Sequence, residues 1–218
     1  MSTIGASHLG WPAALDAVNT AGFDAVEILM IPGWIHLDAR SADAERTRAE
    51  LAERKLVPVG VHAGGIDGTD DDSLEASLAY VRAAIDFASR IGASLVNVNA
   101  MPVPYGTPSA VRSAMRDRAA RGFARLLPAA RLAGVRVTVE NHHGFQIDTL
   151  DDYRELFLLV PDHDLGATVD TWHFTASGID PVDAVRALGA RVHHVHVKDI
   201  GDPTALAGHR ALARALVD

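Results

Sequence analysis

The sequence contains no cysteine, little positive charge and no long apolar run. Without cysteine the chain can form neither disulfides nor thiolate metal sites. Lysine and arginine number 20 against 28 aspartate and glutamate residues, a formal net charge of −8. This charge argues against a general nucleic-acid binder, because phosphate contacts need clustered basic side chains. No stretch approaches about 18 uninterrupted apolar residues, so no membrane-spanning helix is predicted.

Several common enzyme and targeting motifs are also missing. No G-x-G-x-x-G, P-loop or G-x-S-x-G sequence occurs, so dinucleotide binding, nucleoside triphosphate binding and serine hydrolysis lack support. The first eight residues lack the basic segment and apolar core of a signal peptide, which favours a cytoplasmic protein. The chain has 218 residues, 48% of them hydrophobic, and is predicted to form a single domain over residues 1–218.

Short β-branched runs alternate with longer alanine-rich amphipathic segments, a pattern typical of a parallel sheet with crossover helices. The strands are predicted at residues 3–7, 25–30, 57–62, 95–99, 135–140, 165–170 and 192–197. The helices are predicted at residues 12–21, 42–55, 73–91, 109–133, 150–160, 181–188 and 204–217. The predicted fold class is α/β, a (β/α) barrel that lacks the eighth strand or is imperfectly closed. Its exposed edge predicts a homo-oligomer.

Three of these predicted strands end in side chains that bind metals. Glu140 follows Val-Thr-Val, Asp170 follows Ala-Thr-Val, and His196 follows Val-His-His-Val. Successive positions are 30 and 26 residues apart, about one strand–helix–strand unit each. In a parallel barrel the carboxyl ends of the strands lie on one rim, so the three side chains are predicted to converge. Mixed oxygen and nitrogen ligands suit one divalent ion such as Mn, Mg, Co or Zn.

Each of the three residues also has a purely structural interpretation. An ionised Glu140 at the end of a buried strand could pair with an arginine, and Asp170 could cap a helix. His196 alone would be a packed core histidine. The occurrence of all three at matching strand ends favours metal binding.

Further polar residues lie in or directly after other predicted strands. His62 and Asn99 are predicted to bind substrate hydroxyl groups, with capping of the loops as the alternative. Glu27 is a third predicted substrate-binding residue, with a buried polar network as its alternative. Lys198 follows the last strand and is a candidate catalytic residue that stabilises negative charge, or an exposed loop lysine.

At this point the motifs resemble those of the sugar phosphate isomerase/epimerase group of the xylose-isomerase-like TIM barrels. Tagatose 3-epimerase, hydroxypyruvate isomerase and inosose dehydratase belong to that superfamily. The resemblance covers residues 3 to about 200. It rests on Ala-Gly-Phe-Asp-Ala-Val-Glu27-Ile, Val59-Gly-Val-His62, Val-Glu140-Asn141, Asp170-Thr-Trp-His173 and His194-Val-His196.

The resemblance implies that Glu140, Asp170 and His196 bind one divalent ion together with a second glutamate from an eighth strand. That strand and its glutamate are not found after Asp199, so the fourth ligand is open. His142, His143 and His209 are candidates for this position, each with a solvated loop histidine as its alternative.

The resemblance also implies that His173 binds substrate, and His173 could instead be recruited as a metal ligand. Glu140 is expected to act as a base in addition to binding metal. His173 or Lys198 is the candidate for the second proton carrier that replaces the absent glutamate.

The function implied is that of a metal-dependent isomerase or epimerase, which acts on a small polyhydroxylated carbonyl compound through an enediolate. A metal-dependent dehydratase is the first alternative, because the same enediolate can expel a β-hydroxyl group. An endonuclease IV-like nuclease would need more metal ligands and a basic groove. A different class of protein also stays open, a non-catalytic barrel that binds a ligand or serves as a subunit of a complex. Neither nucleic acid nor a membrane is an expected partner.

Overall fold

The computed structural model of the protein describes residues 1–34 and 36–198. The α-helices of these residues are α1 (Trp11–Thr20), α2 (Ala44–Glu53), α3 (Asp71–Ile91), α4 (Ser109–Leu132), α5 (Leu150–Leu159), α6 (Thr171–Ala176) and α7 (Pro181–Leu188). The strands are β1 (Ala25–Leu29), β2 (Val57–Ile66), β3 (Leu95–Ala100), β4 (Arg136–Glu140), β5 (Leu165–Asp170) and β6 (Val192–His196). Short 3₁₀-helices cover Thr3–Ala6 and Gly189–Arg191. The helix predicted at 204–217 and His209 lie outside the described residues.

The six strands of the described residues form one sheet in the order β1-β2-β3-β4-β5-β6. The pairings of β1 with β2 and of β5 with β6 are parallel. Strands that are consecutive in the chain and adjacent in the sheet, with helices between them, are the β/α arrangement that the sequence predicts. The predicted positions of these six strands are confirmed to within a few residues.

The first predicted strand, at residues 3–7, is wrong, because Thr3–Ala6 is a 3₁₀-helix. The Ser2 side chain accepts a hydrogen bond from the backbone N–H of Ile4 and caps this helix. The buried Thr3 hydroxyl accepts the backbone N–H of Leu29 at 2.9 Å. These hydrogen bonds to hydroxyl oxygens, one local and one to β1, compete with a strand ladder. At this end of the chain Ser2 forms an isolated parallel bridge with Glu27.

Helix α6 is not predicted from the sequence. It begins directly after β5, and the Asp170 side chain accepts the backbone N–H of His173 at 3.0 Å as its N-cap. Aspartate is among the preferred N-cap residues because its oxygen satisfies a free helical N–H. Asp170 therefore ends a strand, begins a helix and fixes the backbone of His173.

The chain divides into two compact units that interleave along the sequence. The first unit comprises Met1–Gly65, Glu75–Val98 and Arg125–Val137, and the second comprises Ile66–Leu74, Asn99–Ala124 and the residues from Thr138 onward. In the first unit Leu15, Val26 and Ile28 are fully buried. In the second unit Tyr153 and Phe174 are fully buried. The assignment of the chain to a single domain stays a prediction.

Among the described residues, no helix is long and apolar enough to cross a bilayer.

Candidate metal centre

Three strand ends of the second unit bring two carboxylates and an imidazole together. Glu140 ends β4, Asp170 ends β5 and His196 ends β6. The Nδ1 atom of His196 lies 2.6 Å from Glu140 Oε1 and 3.9 Å from Asp170 Oδ2. One ligand atom from each of the three side chains lies within 4.8 Å of the others. The predicted convergence of the side chains is therefore present, whereas their binding of a metal stays a prediction.

Alternation along the strands explains why these side chains share one face. Residues two apart on a strand point the same way, so Thr138 and Glu140 share a face of β4, as Thr168 and Asp170 do on β5. The Thr168 hydroxyl donates to the Thr138 hydroxyl at 2.7 Å in the buried interior. Asp170 is the register partner of His196 in the parallel pair of β5 and β6.

The two carboxylates are deeply buried, since Asp170 is 0% exposed and Glu140 is 1% exposed. Burial raises the pKa of Asp170, an effect that Lys198 opposes and the nearby Glu140 reinforces. Two neighbouring buried carboxylates are costly without compensating positive charge. The site therefore needs a cation, whether an ammonium, an imidazolium or a metal ion.

Lys198 provides one such cation. Its Nζ lies 2.6 Å from Asp170 Oδ2, although the lysine side chain is 39% exposed. The Thr171 hydroxyl holds the lysine backbone, because it donates to Lys198 O at 2.9 Å and accepts from Lys198 N at 3.0 Å. The structure thus brings this predicted catalytic residue directly to the carboxylate pair.

Two asparagines position the carboxylates. Asn99 at the end of β3 donates to Glu140 Oε2 at 3.3 Å. Asn141 binds the backbone of Asp170 twice, since its Nδ2 donates to the carbonyl at 3.1 Å and its Oδ1 accepts the N–H at 2.7 Å. Nothing in the sequence indicates this role of Asn141 except its place directly after Glu140. Binding of substrate by Asn99 stays a prediction.

His173 lies beside the carboxylates in a stack of rings. Its ring centroid is 3.7 Å from that of His142, which is in turn 3.8 Å from Phe145. Its Nδ1 accepts the backbone N–H of His143 at 3.3 Å. Burial, with smaller contributions from His142 and Lys198, lowers the pKa of His173 to about 3, so the ring is neutral at pH 7. Burial also lowers the pKa of His142.

His143 points into a separate polar cluster. Its Nδ1 lies 3.0 Å from Ser177 Oγ and 3.4 Å from Asp148 Oδ2. The Ser177 hydroxyl donates to Asp148 Oδ1. Ser177 and Asp148 are not among the site residues that the sequence predicts. Recruitment of His142 or His143 as a fourth ligand stays a prediction.

The two remaining predicted site residues lie in the first unit. Glu27 in β1 is 3% exposed and His62 in β2 is 6% exposed. His62 pairs in register with Leu29, and its carbonyl accepts the backbone N–H of Met30 at 2.8 Å. Buried polar side chains at these strands agree with either substrate binding or a structural polar contact. Binding of substrate by either residue stays a prediction.

Comparison with models of known sequence families shows to which family the chain belongs. A sequence model described as the xylose isomerase-like TIM barrel matches residues 15–213. The chain belongs to this family. The resemblance that the motifs indicate is therefore confirmed, and so is the barrel fold class.

Relatives of this xylose isomerase-like chain include two dehydratases. Inosose dehydratase of Lacticaseibacillus casei is 28% identical over 94 residues, which are 43% of this chain and 32% of that protein. 3-Dehydroshikimate dehydratase of Pseudomonas aeruginosa is 25% identical over 191 residues, which are 86% of this chain and 28% of that protein. The aligned part is therefore less than a third of either relative.

Solved structures share the fold of this family member. A D-tagatose 3-epimerase-like protein aligns with a TM-score of 0.76 and 22% identity, over 91% of this chain and 75% of that one. The probable 3-DHS dehydratase AsbF of Bacillus anthracis aligns with a TM-score of 0.75 and 20% identity, over 94% and 74%. The IolI protein, whose structure contains a zinc atom, aligns with a TM-score of 0.72 and 15% identity, over 89% and 69%.

Proposed function

We propose that this protein is a divalent-metal-dependent isomerase or epimerase of a small polyhydroxylated carbonyl compound. The observation that carries the proposal is the convergence of Glu140, Asp170 and His196 at the ends of three neighbouring strands. Membership of the xylose isomerase-like family supports it, and so does the zinc atom in the IolI structure.

The side chains of the site fit a divalent ion. Two carboxylates and an imidazole are the mixed donor set that Mn, Mg, Co and Zn accept. Their oxygen and nitrogen atoms are already within 4.8 Å of one another. Second-sphere contacts of the kind that orient metal ligands are also present, from Asn99 to Glu140 and from Asn141 to the Asp170 backbone. In this assignment Glu140, Asp170 and His196 hold the ion.

The chemistry that a bound divalent ion supplies is that of a Lewis acid, which makes the carbon next to a substrate carbonyl more acidic. Glu140 is the base that we assign to remove that proton, because the structure holds its two oxygens at His196 and Asn99. Lys198 returns a proton to the substrate, since its ammonium group reaches the same carboxylate pair. His173 donates a hydrogen bond without giving up its proton, because burial keeps the ring neutral.

A dehydratase is the second candidate, and a specific finding favours it. Both curated relatives described above are dehydratases, and one of them aligns with 86% of this chain. The same residues would serve this reaction. Glu140 would remove the proton next to the carbonyl, and Lys198 would protonate the hydroxyl group that leaves as water.

Metal content tests the shared part of both candidates. We expect the purified chain, loaded with Mn²⁺ or Zn²⁺ and then desalted, to retain close to one ion per chain by elemental analysis. Asp170→Asn should lose the ion, because it removes one anionic ligand and the charge that attracts the cation. The matched control is Asp151→Asn, which changes an exposed carboxylate paired with Arg154 at the surface of α5. Equal metal content in Asp170→Asn and the wild type would refute the proposal.

Product analysis separates the candidates. The metal-loaded protein is incubated in D₂O with 2-ketohexoses and with cyclic keto-polyols such as inosose. An isomerase or epimerase returns an isomer that carries deuterium on the carbon next to the carbonyl. A dehydratase forms an unsaturated ketone that absorbs in the ultraviolet. A protein that binds metal but neither exchanges deuterium nor turns over any of these compounds would favour the non-catalytic barrel.

A further inference from the structure

The strongest feature outside the carboxylate site is the polar cluster of Asp148, His143 and Ser177. Asp148 lies in the loop between β4 and α5, just before the N-cap of α5. Its Oδ2 accepts the backbone N–H of Gly144 at 3.1 Å, and its Oδ1 accepts the Ser177 hydroxyl. A single carboxylate therefore contacts both the loop that follows β4 and the residue that follows α6.

Side-chain hydrogen bonds fix both ends of α6, and the cluster supplies the one at its C-terminal end. The N-terminal end is capped by Asp170, whose side chain accepts the His173 N–H. At the other end Ser177 donates its backbone N–H to the His173 carbonyl at 3.0 Å and its hydroxyl to Asp148. Since α6 is a short helix, these contacts fix the backbone that carries His173.

Asp148 is itself held in place. Its backbone N–H donates to Asp152 Oδ2 at 3.2 Å, and the same oxygen forms the capping box with Thr149 at the start of α5. Arg116 pairs with the other oxygen of Asp152 at 2.6 Å. The anchor of the cluster is thus a helix terminus with an ion pair and not a freely moving loop.

The backbone of His143 connects this cluster to the ring of His173. The His143 N–H donates to His173 Nδ1, and a ring nitrogen that accepts a hydrogen bond carries no proton. Because Nδ1 accepts this N–H, the proton of His173 lies on Nε2, which presents a donor. If the N–H of His143 moved away, the other tautomer would become available and would present an acceptor at Nε2.

We propose that Asp148 is a positioning residue that fixes His173 in the Nε2–H tautomer by holding the loop of His143 and Gly144 against the end of α6. The inference rests on the proposed function in one respect, namely that His173 then faces a carbonyl or hydroxyl oxygen of the substrate as a donor. The tautomer itself does not depend on any activity.

Nitrogen-15 NMR of the metal-free full chain with ¹⁵N-labelled histidine tests the proposal. Long-range proton–nitrogen spectra distinguish the protonated from the unprotonated ring nitrogen, and loss of the signal in His173→Gln assigns it. In the wild type we expect a single Nε2–H tautomer for His173. In Asp148→Ala we expect both tautomers in exchange, because the His143 N–H is no longer held.

Two further variants keep the test decisive. Ser177→Ala removes one link of the cluster without removing a charge, and it takes the place of Asp148→Ala if that variant does not fold. It should also shift His173 toward a mixture of the two tautomers. The control Asp151→Ala removes an exposed carboxylate in the first turn of α5 and should leave the wild-type tautomer unchanged. A folded Asp148→Ala or Ser177→Ala protein with the unchanged Nε2–H tautomer would overturn the inference, as would an Nδ1–H tautomer in the wild type. Since no metal or substrate is present, failure of the proposed function would leave this result intact.

Discussion

Gly166 in β5 controls how closely β6 can approach, and replacing it is a sharp test of the site. A Cβ atom at Gly166 would lie 2.1 Å from Nδ1 and 2.4 Å from Cγ of His193 in β6. Because Cγ belongs to the root of the ring, a small rotation of the ring end cannot relieve the contact. The Gly166→Ala variant must therefore displace His193 or shift β6 along β5. The register shift of this strand pair, between Ala167 and Thr168, lies next to the contact.

Two opposing contributions set the change in the free energy of unfolding that we expect for Gly166→Ala. Overpacking a tightly packed position costs about 1–3 kcal/mol, whereas replacing a strand glycine by alanine returns about 0.5–1 kcal/mol of backbone entropy. Gly166 does not have a positive φ, so no further backbone strain is added. The contact at 2.1 Å is severe, so the upper half of the overpacking range applies and the net loss in free energy of unfolding is about 1–2.5 kcal/mol. For a chain of this size it lowers Tm by about 2–10 °C.

A double-mutant cycle with His193→Ala identifies the cause. In the His193→Ala background the contact is gone, so Gly166→Ala should be neutral or slightly stabilising by thermal or urea unfolding. The same strand shift should weaken metal binding at Asp170 and His196, although neither ligand is changed. The control Gly10→Ala places a Cβ in open space and should change stability by less than about 1 kcal/mol. Equal losses for Gly166→Ala with and without His193 would refute the steric explanation.

Three further predictions concern the neighbourhood of the site. Tyr153→Phe should lower the free energy of unfolding by about 1–2 kcal/mol, because the buried hydroxyl donates to carbonyls of β4 and β5 at 2.6 and 3.0 Å. The exposed Tyr105→Phe is its control and should stay within about 0.5 kcal/mol. Asn141→Ala should weaken metal binding about 10- to 100-fold by calorimetric titration, because it releases the backbone of Asp170. Lys198→Met should keep or tighten metal binding while turnover falls by about 100-fold or more.

Matched controls separate these effects from general damage. Asn19→Ala removes an exposed side-chain hydrogen bond to Arg54 and should leave metal affinity unchanged. Lys55→Met removes the charge of an exposed lysine in the turn that follows α2 and should leave turnover unchanged. Unaltered metal affinity in Asn141→Ala would show that β5 holds Asp170 without this asparagine. Full turnover in Lys198→Met would remove the lysine from the proton transfer.

The sequence predicted the features that depend on local pattern. A β-branched run followed at once by a ligand side chain marks a strand end, and Glu140, Asp170 and His196 follow this pattern. Because parallel strands place their carboxyl ends together, local pattern and topology suffice to predict that the three side chains meet. The first predicted strand is wrong because the Ser2 hydroxyl caps a 3₁₀-helix at Ile4 and the Thr3 hydroxyl accepts the backbone N–H of Leu29.

The other contacts of the site could not be predicted from the sequence, because they join residues about 30 positions apart in the chain. Asn141 reads in the sequence as an ordinary loop residue, and only the pairing of β4 with β5 brings both of its polar groups to the Asp170 backbone. The cluster of Asp148 and Ser177 has the same origin, since neither residue has a sequence pattern that relates it to the other. Periodicity indicates which face a side chain lies on, but not which distant backbone group it binds.

The charges of the site argue for a function that a structural ion pair would not explain. Burying Glu140 and Asp170 side by side costs free energy that well-packed apolar residues would not cost, and a buried ion pair is on that account weak evidence for stability. The cation at Asp170 belongs to Lys198, whose side chain is 39% exposed. A buried anionic pair, fixed by Asn99 and Asn141 and with a partly exposed ammonium beside Asp170, agrees with the proposal that a divalent cation binds there.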